Sequence, residues 1–63
     1  GQSAHDWIVY YTIFEIKALL RDSSLDIKVI TIRMHFPDQA TLSRYFRRYT
    51  GMTPSKYRES FFF

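Results

Sequence analysis

Between residues 39 and 58, in QATLSRYFRRYTGMTPSKYR, the side chains of Arg44, Arg47, Arg48, Lys56 and Arg58 are cationic and none is anionic. Residues 1–38 are close to neutral, with Lys17, Arg21, Lys28 and Arg33 set against Asp6, Glu15, Asp22, Asp26 and Asp38. A neutral part joined to a basic part is the asymmetry of a polyanion binder. The side-chain types also suit the reading of a duplex. Arginine can donate two bonds to guanine, glutamine can pair with adenine, and alanine or a threonine methyl can meet the thymine methyl. Gln39, Ala40, Thr41 and Arg44 supply those types at the start of one segment and are the candidates for base contact. Ser43, Arg47, Arg48, Thr53 and Arg58 are the candidates for phosphate contact. Two uses are open to Arg58, because it could equally pair with a carboxylate or a helix end. The plain alternative for the whole set is a solvated helix surface.

Other chemistries are poorly supplied. His5 and His35 stand far apart, and the chain has no cysteine, so the usual zinc ligand sets cannot be assembled. The only glycines are Gly1 and Gly51, which excludes a glycine-rich phosphate loop. Asp38 fits a helix cap better than a catalytic carboxylate, and no nucleophile, base and oxyanion donor come together. We therefore expect neither an enzyme nor a bound cofactor or metal. No apolar run approaches the roughly 20 residues of a membrane span, and a cytoplasmic setting is expected.

The elements that must position these residues read as helices. One tryptophan, five tyrosines and six phenylalanines in 63 residues supply a core, while two glycines and two prolines are too few for a β-rich chain. Residues 1–5 read as a tag or disordered end. Residues 6–21 form a first helix with Asp6 as N-cap. Its apolar side chains nearly encircle it: Trp7, Tyr11, Phe14 and Ala18 make one stripe, and Val9, Ile13, Ile16 and Leu20 lie opposite. A helix apolar all round is buried on more than one side, so a packing partner or self-association is expected. Residues 27–34 form a second helix capped by Asp26. His35, Phe36 and Pro37 make a turn, since the residue before a proline leaves the helical region. Asp38 caps a third helix over residues 39–49. There Leu42, Tyr45, Phe46 and Tyr49 face the core, Ala40, Arg44 and Arg47 face out, and Thr41, Ser43 and Arg48 lie at the borders. Gly51 ends it in a left-handed cap. Thr53 and Pro54 start a fourth helix, with Tyr57 and Phe61 pointing to the core. Two short helices joined by a tight turn, the second basic on its outer face, make a helix-turn-helix plan.

The stretch IKVITIRMHFPDQATLSRYFRRYTGMTPSKYR, residues 27–58, resembles the second helix-turn-helix of the AraC/XylS family of bacterial transcription regulators. Phe36, Gln39, Ser43, Arg44, Phe46, Arg47, Arg48, Gly51, Thr53, Pro54, Tyr57 and Arg58 fit that pattern in register. IFEIKALL, residues 13–20, looks like the family's linker helix, so the likeness covers residues 7–58. Three positions depart from it. His35 stands where a turn glycine is usual, Thr31 where a small alanine is usual, and Val29 where a glutamate is common. Histidine tolerates positive φ better than most residues, so the turn can survive with some strain.

The resemblance implies an all-α domain: a linker helix (6–21) followed by a helix-turn-helix subdomain (22–63). It implies an operator in double-stranded DNA as the partner, a transcription activator as the protein, and insertion of residues 39–49 into the major groove. It also implies that the first helix normally meets a second helix-turn-helix lobe, and that an effector or dimerisation domain accompanies both. The rival expectation is a protein-interaction module that works through the apolar first helix and the terminal phenylalanines, its arginines serving only solubility.

Overall fold

The structure is a computed structural model that describes residues 4–62, with the backbone alone at Phe62. Four helices follow one another: α1 (Ala4–Leu20), α2 (Ile27–Arg33), α3 (Gln39–Thr50) and α4 (Pro54–Phe62). All the regular structure among the described residues is helical, as expected. α1 starts earlier than its sequence suggested. Ala4 and His5 are already helical, and Asp6 sits in the first turn instead of capping it. A carboxylate there still meets the positive end of the helix dipole. Phe63 and the Phe62 side chain, among the terminal phenylalanines of the rival expectation, lie outside the described residues.

The punctuation of the chain is local. Asp22 accepts from the Ser24 amide at 3.0 Å and from its hydroxyl at 2.6 Å, which holds the bend after α1. These two bonds hold the Asp22 carboxyl below its ordinary pKa, with smaller help from Arg58 and Arg33. Asp26 occupies the N-cap of α2 with extended backbone, but its side chain makes no capping bond. Position and backbone were read correctly there, and the side-chain role was not. α2 closes in the left-handed manner at His35, whose φ is 63°. The Phe36 amide donates to the Thr31 carbonyl at 3.0 Å and the His35 amide to that of Ile32 at 3.0 Å. This paired closure satisfies carbonyls a helix end would otherwise leave open. Histidine thus takes the conformation that glycine adopts without strain.

The core is built from Ile13, Ile16 and Leu20 of α1, Ile30 of α2, and Leu42 and Phe46 of α3. Ile16, Leu20, Ile30, Leu42 and Phe46 are wholly buried. Each contributes roughly 1.5–3 kcal/mol of apolar transfer. Thr31 is buried too, and its hydroxyl donates to the Ile27 carbonyl at 2.9 Å, so it costs no unpaired polar group. Rings continue the packing outwards, with Phe46 edge-on to Tyr57 at 5.5 Å and Tyr57 edge-on to Phe61 at 5.0 Å.

α1 covers only one of its two apolar sides. The Val9, Ile13, Ile16 and Leu20 side faces the other helices, while Trp7, Tyr11, Phe14 and Ala18 are exposed. Tyr49 and Phe61 also depart from expectation, being 40% and 46% exposed. Tyr49 lies at the last turn of α3, where its ring packs edge-on to Tyr45 at 5.0 Å. Phe61 lies under the Arg21 guanidinium at 5.0 Å.

Candidate nucleic-acid interface

α3 owes its form to its ends and its buried stripe. The Asp38 carboxylate accepts from the Thr41 amide at 2.7 Å, satisfying a donor that the first turn leaves open. Bonds from the Thr41 backbone and side chain, aided by the charge of Arg44, hold the Asp38 carboxyl below its ordinary pKa. At the other end Gly51 takes φ 81°, and its amide donates to the Arg47 carbonyl at 2.8 Å. Leu42 and Phe46 fix the rotation of the helix by being wholly buried. The opposite side is thereby turned to solvent.

That side carries Ala40, Arg44 and Arg47, while Gln39, three residues before Leu42, is exposed because it opens the helix. Gln39, Ala40 and Arg44 are exposed, and Thr41 sits half-buried beside them at the capped end. Arg47 and Arg48 are exposed further along, with Ser43 half-buried between the faces. The Arg48 guanidinium lies 5.6 Å from the centre of the Tyr49 ring, a cation over an aromatic face. Thr53 caps α4, its hydroxyl oxygen accepting from the Lys56 amide at 3.2 Å. A hydroxyl that accepts still has a proton to donate, so the capping bond does not spend it.

Two clefts show what the tertiary fold brings together. One of about 450 Å³ is lined by Arg47, Gly51, Met52, Thr53 and Lys56. It joins two of the phosphate candidates, Arg47 of α3 and Thr53 before α4, and adds Lys56. Another, of about 330 Å³, is lined by Lys28, Thr31, Ile32, Phe36, Pro37, Asp38 and Gln39. It adds Lys28 of α2 beside Gln39. Neither lysine was among the candidates. The available signal for Lys56 was its place three residues after the cap Thr53; for Lys28 the sequence offered none, because only packing sets α2 against the start of α3.

Arg58 makes one of the two contacts open to it, the one to a helix end. Its Nε donates to the Leu20 carbonyl at 3.0 Å and its Nη2 to the Asp22 carbonyl at 3.2 Å. The guanidinium closes the C-terminal end of α1, where a cation also suits the dipole.

Residues 1–60 match the sequence profile of a helix-turn-helix domain. The chain belongs to the AraC-type helix-turn-helix family. No curated protein and no solved structure gives a match. The helix-turn-helix itself is α2, the turn at 34–38 and α3, with α1 leading in and α4 closing the lobe. Membership makes this a DNA-binding domain of the kind found in transcription regulators, a family that is typically non-enzymatic. No helix among the described residues is long and apolar enough to cross a membrane.

Proposed function

We propose that this helix-turn-helix domain recognises a specific DNA sequence by laying α3 in the major groove, as part of a bacterial transcription activator working in the cytoplasm. One observation carries the reading: burial of Leu42 and Phe46 turns Ala40, Arg44 and Arg47 outward together, and Gln39 is exposed at the capped end of α3. A recognition helix uses its N-terminal residues on base edges. α3 has 12 residues, about 18 Å of helix, and the major groove is about 12 Å wide. Arg44 would read guanine, Gln39 adenine, and Ala40 and Thr41 the thymine methyl. Arg47, Arg48, Ser43 and Thr53 would hold phosphates, joined by Lys56 through the shared cleft. Arg58 is committed to α1 in this reading and fixes the lobe instead of touching DNA.

Two substitutions separate the roles. Arg44→Ala should cost about 1–3 kcal/mol at the preferred site and relax base preference at one position. Arg47→Ala should weaken binding to every sequence alike and reduce the salt slope by about 1. Fluorescence anisotropy on a selected duplex and on a scrambled one, at several salt concentrations, reads both. If neither change alters DNA affinity at low salt, the arginine face is solvation only. The rival reading as a protein-interaction module draws on the exposed rings of α1. Those rings lie on a different element, so a contact there leaves the α3 face as described.

A further inference from the structure

Tyr49 belongs by angle to the buried stripe of α3, yet it is 40% exposed and a cation lies over its ring. The rings behind it are anchored. Phe36 and Tyr45 are half-buried and pack against the core. Phe36 meets Tyr45 at 5.3 Å, and Tyr45 meets Tyr49 edge-on at 5.0 Å. This row of three rings ends at Tyr49, where the Arg48 guanidinium sits 5.6 Å from the ring centre.

We propose that Tyr49 is a positioning residue for DNA binding: its ring holds the Arg48 guanidinium at one flank of α3, set to meet a phosphate. The proposal rests on the reading of α3 as the recognition helix. Helix geometry sends the two consecutive arginines to different sides. Arg44 stands opposite the midpoint of Leu42 and Phe46, so it points most directly outward. With about 100° between successive residues, Arg47 lies about 60° to one side of Arg44 and Arg48 about 40° to the other. A helix lying in the major groove has base edges beneath it and a sugar-phosphate wall on each side. Arg47 shares its cleft with Thr53 and Lys56. Arg48 leans to the other flank, that of Tyr45 and Tyr49.

A free arginine samples many rotamers, and fixing it on a phosphate costs entropy. A ring that already favours one arrangement lowers that cost. The ring attracts the cation through its face, whereas the guanidinium reaches phosphate through its N–H fork. One contact therefore leaves the other free.

Fluorescence anisotropy on a duplex that the chain selects from a random pool tests the proposal, at a temperature where CD melts show every variant folded. Tyr49 is outside the core, so its variants should fold. Tyr49→Leu keeps apolar bulk and removes the ring, and should weaken binding about two- to fivefold, the range for an exposed cation over a ring. Tyr49→Phe keeps the ring and should match wild type. A double-mutant cycle gives the sharper readout. In an Arg48→Ala background, Tyr49→Leu should cost nothing further, whereas a merely structural role would cost the same in both backgrounds. Wild-type affinity in Tyr49→Leu would overturn the proposal. So would an undiminished loss in the Arg48→Ala background, or a loss in Tyr49→Phe equal to that in Tyr49→Leu. Arg44→Ala keeps the two readings apart. If it weakens binding and Arg48→Ala does not, Tyr49 has nothing to position and the recognition helix stands. If the wild-type chain has no duplex affinity at low salt, both fall.

Discussion

Arg58→Ala should destabilise the domain and leave its affinity for DNA intact. The side chain makes two bonds to carbonyls 38 and 36 positions earlier in the chain, one half-buried at Leu20 and one exposed at Asp22. A bond from a charged donor contributes roughly 1.5–3 kcal/mol, and less where water competes. Taking about 1.5 kcal/mol for the Leu20 bond and about 0.5 kcal/mol for the exposed one gives about 2 kcal/mol in all. A chain of 63 residues holds roughly 3–9 kcal/mol of total stability. The loss is therefore a large share, and for a domain this small it lowers Tm by roughly 8–16 °C. Far-UV CD melts of wild type, Arg58→Ala and Arg58→Lys read it. Lysine keeps the charge and one donor at a time, so it should recover part of the loss. DNA affinity is measured well below both melting temperatures, where the variant is folded, and its salt slope should match wild type. A Tm within about 2 °C of wild type together with a salt slope lower by about 1 would refute the reasoning and make Arg58 a phosphate ligand.

His35→Gly should raise stability by about 0.5 kcal/mol, since relief at φ 63° outweighs the entropy that glycine loses on folding. His35→Val should lower it by about 1 kcal/mol or more, because a β-branched residue resists that conformation; urea melts compare the two. Asp38 has a depressed pKa in the fold, so its stabilisation is present above the unfolded carboxyl pKa of about 3.9. It is lost as pH falls through the lower folded value, and Asp38→Asn, which caps without titrating, should flatten the acid side of a Tm-versus-pH curve. Phe46→Ala removes a wholly buried ring at a cost of roughly 3–5 kcal/mol. That approaches the whole stability of the domain, and the amide NMR spectrum should collapse towards the unfolded pattern at room temperature.

The sequence by itself determined whatever depends on residues a few positions apart. Asp38 three residues before the Thr41 amide, Gly51 after Thr50, and Thr53 with Pro54 each act within one turn of helix, so the boundaries of α3 and the start of α4 were legible. The orientation of α3 was legible for the same reason, because its apolar residues keep to one side. Only the tertiary structure decided the rest. α1 offers two apolar sides of similar content, and local pattern cannot rank them. The Ile13, Ile16 and Leu20 side is covered because α2 and α3 present Ile30, Leu42 and Phe46 to it, while Trp7 and its neighbours stay open. Tyr49 belongs to the buried stripe of α3 by angle, yet at the last turn too little chain lies over it. The contact of Arg58 with the end of α1 exists only because folding brings Leu20 and Asp22 within reach. Lys28 came to lie beside Gln39 in the same way, through packing between α2 and the start of α3 that no local spacing encodes.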